Sequence, residues 1–429
     1  MTDNANTNTE VREQYEAMPY PPRDPAEERK ELRRTWLDDL PMINHYCFGG
    51  NENFRDRFRV LVAGGGTGDA TIFMAEQLRE TNAEIIHLDF SAASIAIAQQ
   101  RAAIRGLNNI RFVHDSILNL PNLDVGKFDY INCVGVLHHL ADPDAGMNAL
   151  LAVLKEAGAL GLMVYATYGR TGIYQMQSLM QLINADERQR VAQIDRTRQM
   201  LDCLPATNWF KRGEALYGDH RNGDAGIYDL LLHSQDRAYT VGELYEWLVD
   251  GHGLNIELTD VERSRSSYLP HLLMGAAPPN VLASIGAMPL RRQHQIAELL
   301  HGRVQTHSFY LTRRASCKAA YGDPDSIPFL FHEPVTGAEL AGVFARSNGQ
   351  PFVLDHAHSG VSIAVHPGRF GPAILRHIDG QNSFRKIFNL LRRDPAFRTL
   401  APRDDVLFAD FREIYETLNA LDRMLLRRV

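Results

Sequence analysis

Cysteine is scarce in this chain. Four residues in 429, Cys47, Cys133, Cys203 and Cys317, stand far apart and form no Cys-x-x-Cys pair. That spacing excludes a zinc ribbon and a disulfide framework, and it suits a reducing cytoplasm. No run of about 18 apolar residues occurs, and the stretch Met1 to Glu10 is polar, so neither a membrane-spanning helix nor a secretory signal is expected. An excess of positive charge is also missing: 45 Lys and Arg stand against 52 Asp and Glu, and the formal charge of −7 argues against broad binding to nucleic-acid phosphate. No internal repeat is present. What remains is a globular composition, 45% hydrophobic and 23% charged, with length enough for two or three domains.

Strand and helix patterns alternate after a charged N-terminal stretch with a turn at Tyr20-Pro21-Pro22. Apolar runs at Arg59–Ala63, Glu84–Leu88, Arg111–His114, Tyr130–Val134 and Ala159–Tyr165 read as buried strands. Helical patterns lie between them at Ala70–Arg79, from Ser91 to Gly106 and at Ala145–Glu156. This order predicts an α/β fold with a doubly wound, mostly parallel sheet. The polar helical stretch 173–237 reads as an insertion, as does 268–301. Asn255–Val261 and Gln305–Thr312, with no clear crossover helix between them, predict an antiparallel edge pair. Beyond Tyr321-Gly322-Asp323-Pro324, Pro351–Asp355 and Val361–His366 read as a hairpin about His358-Ser359-Gly360, followed by helices. The expected division is a lid segment over 1–45, a catalytic domain over 46–320 and a winged-helix-like accessory domain over 325–429.

The chemistry begins at Val60-Leu61-Val62-Ala63-Gly64-Gly65-Gly66-Thr67-Gly68, a strand running into a glycine-rich turn and a helix. Glycines let the backbone approach a ligand, and the helix N-terminus offers free N–H groups. The order G-x-G-x-G followed by Asp69 departs from the dinucleotide fingerprint, which wants Gly or Ala there, and a carboxylate faces pyrophosphate badly. Asp89 ends the second strand, where a carboxylate reaches both ribose hydroxyls; Phe90 follows it. Asp115 ends the third strand, placed to take an exocyclic amine while the Ser116 N–H meets a ring nitrogen. The fourth strand leads into Val134-Gly135-Val136-Leu137-His138-His139.

Taken together, the glycine turn, the acidic strand ends and the Val-Leu-His-His-Leu run resemble the class I (Rossmann-like) S-adenosylmethionine methyltransferases, in particular the ubiquinone-biosynthesis-like branch. The resemblance spans about Arg59 to Tyr165. It implies S-adenosylmethionine as cofactor. Gly64, Gly65, Gly66 and Gly68 would surround its methionine part, Asp89 and Phe90 its ribose, Asp115 and Ser116 its adenine, with Val134, Gly135 and Val136 bordering the methyl group. Tyr15 and Tyr20 lie in a Tyr- and Pro-rich segment like those that fold over the cofactor in some bacterial methyltransferases. Two departures stand out: Val62 replaces a common acid, and Gly65 stands where a small residue or Cys is usual.

Methyl transfer asks the protein for alignment and, where needed, removal of the acceptor's proton. His138 and His139 are the candidate bases, and Tyr165, Tyr168 and Arg170 leave the fifth strand where they shape an acceptor pocket. The acceptor is expected to be a peptide, protein or metabolite with a nucleophilic N or O. No Asn/Asp-Pro-Pro-Tyr/Phe or Pro-Cys motif points to a nucleic-acid base. Asp142, Asp144, His356 and His358 make no metal set, so no metal is expected. The rival readings are a methyltransferase-like scaffold without turnover and an NAD-dependent oxidoreductase. Oligomeric state has no signature in the sequence.

Overall fold

The computed structural model describes residues 11–259, 265–274, 279–332, 334–346, 350–356 and 361–428. They cluster into two units. The first gathers residues up to Asp38, Phe54–Leu244 and Gly302–His307; the second gathers Asp39–Asn53, Tyr245–His301 and Ser308–Val429.

The first unit is built on a parallel sheet. Its strands are β1 (Arg59–Ala63), β2 (Glu84–Asp89), β3 (Ile110–His114), β4 (Phe128–Val134) and β5 (Leu154–Ala166). They lie in the order β3-β2-β1-β4-β5, and a two-residue β6 (Ala238–Tyr239) pairs parallel with the end of β5. Apolar side chains with almost no exposure, such as Val60, Leu61, Ile85, Ile86, Ile131 and Leu160, explain why β1, β2, β4 and β5 fold as largely buried strands, whereas β3, expected to be buried too, lies at the sheet edge and is only partly covered. The chain reverses direction across the sheet between β1 and β4, and a crevice at such a switch point, at the carboxyl ends of the strands, is where α/β sheets bind ligands.

The helices start and stop where their caps dictate. Ser91 Oγ accepts from Ser94 N–H to open the helix Ala92–Arg105, and Gly106 closes it in the left-handed region. Asp142 caps Pro143–Val153 through the N–H groups of Asp144 and Ala145. That helix stops at Val153, three residues before the end expected from sequence, because Leu154 already pairs with Phe128 at the start of a 13-residue β5. The predicted insertion is helical throughout, with Thr171–Ile183, Arg190–Cys203, Trp209–Gly213 and Gly223–Leu231 around a small core of Ile173, Met176, Met180 and Phe210.

In the second unit β7 (Asn255–Thr259) pairs antiparallel with β8 (Thr306–Thr312), with Asn255 opposite Thr312 and Thr259 opposite Ser308. A mostly parallel α/β sheet with an antiparallel pair is therefore the fold class the chain adopts. β9 (Ile327–Leu330) pairs with β12 (Met424–Arg427), and the predicted hairpin forms as β10 (Phe352–His356) and β11 (Val361–Val365). Its turn, including His358, lies outside the described residues, as does Val261 at the predicted end of β7. The C-terminal helices close over a core of Phe344, Phe384, Phe388, Phe411 and Ile414 that also takes in Leu272. Among the described residues no helix is long and apolar enough to cross a membrane.

Candidate functional site

The glycine turn leaves β1 with Gly64, Gly66 and Gly68 all at positive φ, which an L side chain adopts only under strain. The N–H groups of Gly64 and Gly65 donate to the Leu88 carbonyl at 2.8 and 3.0 Å, fastening the turn to the end of β2. Each glycine has a neighbour in the place of a side chain. A Cβ on Gly64 would fall inside contact distance of Val136; one on Gly66 would meet the Tyr20 carbonyl at 2.9 Å, and one on Gly68 the Ala98 methyl at 2.9 Å. At Gly65, whose φ is ordinary, the neighbour is the imidazole of His87. His87 is fully buried, its Nδ1 bonds Thr71 Oγ1 at 2.8 Å, and burial lowers its pKa to about 3, so the ring is neutral. Gly65 is thus glycine because a histidine fills the space below the turn, a reason absent from the local motif.

Asp89 is buried, and its carboxylate accepts from Gly66 N–H at 2.7 Å and Ser91 N–H at 2.8 Å. Burial raises its pKa, opposed by those N–H groups and that of Phe90. Asp115 N–H donates to the Asp89 carbonyl at 3.0 Å, so the two acidic strand ends are tied together. The Asp115 carboxylate accepts from Ser116 N–H at 2.7 Å, and its two oxygens both accept from Asn119 Nδ2, at 3.2 and 3.1 Å. Gly135 lies at positive φ with its N–H donating to the Met163 carbonyl.

The N-terminal segment is packed against this edge. Thr67 Oγ1 donates to the Pro21 carbonyl at 2.8 Å, and Ser91 Oγ donates to the Tyr15 carbonyl and the Glu16 carboxylate. Arg23 forks onto Asp69, and the buried Arg101 joins Asp69, Glu28 and the Thr67 carbonyl. Tyr15 meets the Phe90 ring edge to face at 6.1 Å, while its hydroxyl donates to Asp229 at 3.1 Å.

A continuous row of rings runs on from Tyr15. His233 lies 6.2 Å from Tyr15 and stacks on His139 at 4.0 Å; His138 lies 3.9 Å from Tyr165, and the Arg170 guanidinium sits 3.5 Å over the Tyr165 ring. His139 Nδ1 donates to the Gln235 carbonyl at 3.0 Å, which fixes the neutral tautomer with a lone pair on Nε2. Burial lowers its pKa to about 4; burial also lowers that of His138 well below the usual imidazole value, with the neighbouring His139, Arg170 and His233 adding to it. Neither nitrogen of His138 has a hydrogen-bond partner, nor do His233 Nε2, Tyr174 Oη and Arg170 Nε and Nη2, although Arg170 pairs with Asp236 at 3.6 Å. Tyr168 is partly exposed on the turn after β5. Beside Tyr174 a cleft of about 530 Å³ is lined by Thr167, Asp236, Ala238, Thr240 and Glu243. Among the described residues no group of three or more His, Cys, Asp or Glu is placed to hold a metal ion.

A methyltransferase-domain family model matches residues 55–204, the stretch that holds the turn, both acidic strand ends and the His pair. The chain belongs to the class I S-adenosylmethionine-dependent methyltransferases. This methyltransferase is 31% identical over 340 residues to an uncharacterized protein of Synechococcus sp., covering 79% of each chain. It is 35% identical over 114 residues to the tRNA 5-carboxymethoxyuridine methyltransferase of Escherichia coli K12; the match covers 26% of this chain and 42% of that enzyme. Its fold follows that of PKMT2 from Rickettsia typhi in complex with AdoHcy, with a TM-score of 0.62 at 16% identity, covering 92% of this methyltransferase and 76% of that chain. Its cofactor is S-adenosylmethionine.

Sequence reasoning did not single out His87, Asn119, Asp229, His233 or Asp236. None belongs to a motif, and Asp229 lies 214 residues from the tyrosine it bonds.

Proposed function

We propose that the chain transfers the methyl group of S-adenosylmethionine to a nucleophilic N or O of a peptide, protein or medium-sized metabolite. The observation that carries the reading is the ordered edge: glycine turn, Asp89 and Asp115 on three successive strand ends, then neutral imidazoles and Tyr165 on the next two. The turn suits the cofactor's methionine part, Asp89 its ribose hydroxyls, Asp115 with Ser116 its adenine. S-adenosylmethionine supplies an activated methyl group when bound there. Tyr15, holding Phe90 from above, and Tyr20, lying over Gly66, shield that edge from water. His138, His139, Tyr165 and Arg170 border the acceptor, and the lone pair on His139 Nε2 orients it by accepting a hydrogen bond. The formal charge of −7 favours such an acceptor over tRNA, the substrate named for the Escherichia coli relative.

Calorimetry with S-adenosylmethionine, S-adenosylhomocysteine and NADH tests the cofactor, and incubation of a cell extract with methyl-tritiated S-adenosylmethionine tests transfer. Binding of the two adenosyl ligands and labelling of an acceptor fraction are expected. Binding of NADH alone would overturn the reading. Asp89→Ala should weaken S-adenosylhomocysteine binding by about 1.5–3 kcal/mol, since a charge-assisted contact is lost.

A further inference from the structure

Asp229 sits in the last turn of the helix Gly223–Leu231, where the negative end of the helix dipole works against a carboxylate. It is 4% exposed, and among the described residues the Tyr15 hydroxyl is the hydrogen-bond donor it has, leaving its second oxygen open. The groups around it are Tyr15 and Tyr20 from the N-terminal segment, Tyr165 and Arg170 from the end of β5, Asp219 from the preceding turn and Asp236 beyond its own helix. Four residues on, His233 joins the stack that reaches His139 and Tyr165. Asp229 therefore belongs to the same wall as the residues after β4 and β5.

We propose that Asp229 is the general base of the methyl transfer, the group that takes the acceptor's proton; this rests on the methyltransferase reading above. In the step, the acceptor's N–H or O–H bond and the cofactor's S–CH3 bond break, and an N–CH3 or O–CH3 bond forms. The sulfur keeps the electron pair of the broken bond, and the proton ends on Asp229. Charges balance, since a sulfonium and a carboxylate give a neutral thioether and a carboxylic acid. Two features favour Asp229 over the imidazoles. His139 is neutral and accepts hydrogen bonds, but with a pKa of about 4 it holds a proton poorly. Burial lifts Asp229 to about 7; the Tyr15 hydroxyl and Arg170 pull it down, and Asp219 and Asp236 push it up. A base is most effective when its pKa lies near the working pH. The Tyr15 hydroxyl fixes one oxygen and aims the other.

The test compares the full-length wild type, Asp229→Asn and Tyr15→Phe. Each is given methyl-tritiated S-adenosylmethionine and the extract fraction that the wild type labels, between pH 5 and pH 9. Dissociation constants for S-adenosylhomocysteine are measured on the same preparations. Asp229→Asn should lower the rate at pH 8 by at least about 100-fold while the S-adenosylhomocysteine constant moves by less than about threefold. Tyr15→Phe should shift the rising limb of the pH profile upward, because the lost hydrogen bond had favoured the charged carboxylate. Retention of wild-type rate by Asp229→Asn overturns the assignment alone. A large loss of S-adenosylhomocysteine affinity would overturn it too, by making Asp229 an anchor of the cofactor's amino group. If the wild type labels nothing at any pH, the methyl-transfer reading falls and this one with it.

Discussion

One added methyl group at position 65 would have to share its space with the His87 imidazole. Gly65→Ala should therefore lower stability by about 1–3 kcal/mol, the usual effect of overpacking, and weaken cofactor binding by displacing the turn. Pairing it with His87→Ala should recover most of that loss, because the second change empties the contested volume. Urea melts of the four proteins decide the matter, and strictly additive losses would contradict the contact. Asp229 makes a second residue-scale prediction through pH. Its folded pKa of about 7 lies above the unfolded value of 3.8, so the fold is favoured by this group below pH 4 and loses that advantage as pH rises through 7. Asp229→Asn should match the wild type near pH 4 and be more stable at pH 8, by at most about 4 kcal/mol. Equal melting temperatures at both pH values would count against a buried, charged Asp229. Gly64 to Gly68, Asp89 and Asp115 were legible in the sequence because each sits directly after an apolar run. His87 and Asp229 were not, since what selects them is a neighbour brought close by the fold.

The N-terminal segment is held by ion pairs of unequal burial. Arg23 and Asp69 are both about one-fifth exposed at the side chain, whereas Arg101 and Glu28 are almost wholly enclosed. A partly exposed pair contributes about 1 kcal/mol or less; breaking a buried network costs about 3–5 kcal/mol, because a charge is left behind. Arg101→Ala should thus cost several times more stability than Arg23→Ala in urea denaturation, and equal losses would mean that burial is not the deciding variable. Element types were largely legible, for hydrophobic period and caps are local signals. The start of β5 was not: the helical pattern runs on to Glu156, yet Lys155 extends to Asp129 at 2.7 Å and a Cβ on Gly158 would meet the Phe128 and Asp129 carbonyls at 3.0 Å. Leu154 and Ala159 pair with Phe128 and Tyr130 on either side of a register shift, so residues 155–158 are carried in the strand as a bulge.

Every residue assigned to the cofactor edge lies in the first unit, which the chain leaves and re-enters. The second unit is assembled from three separated segments, an arrangement invisible in composition because Asp39–Asn53 and Tyr245–His301 join a core carried mostly by the third. His45 accepts from Leu426 N–H at 2.9 Å, Tyr46 donates to Asp422 at 2.5 Å, and Tyr321 stacks on Tyr415 at 4.3 Å. Tyr321-Gly322-Asp323-Pro324, polar by composition, is therefore anchored at its first residue. Deleting Asp323–Val429 should strip partners from His45, Tyr46, Leu272 and Tyr321 and yield protein that aggregates or melts at least about 10 °C lower; a soluble product with an unchanged melt would show that the three segments do not share a core. The distance between His45 and Leu426, 381 residues along the chain, also has a meaning in time. At about 5–20 residues per second on the ribosome, the helix Leu40–Cys47 emerges roughly 20–80 s before the strand that completes its surroundings. Tyr310, which stacks on Tyr46, and Ala319, whose N–H donates to the His45 carbonyl, arrive earlier, so the surroundings of this helix are completed in stages, the His45 ring last.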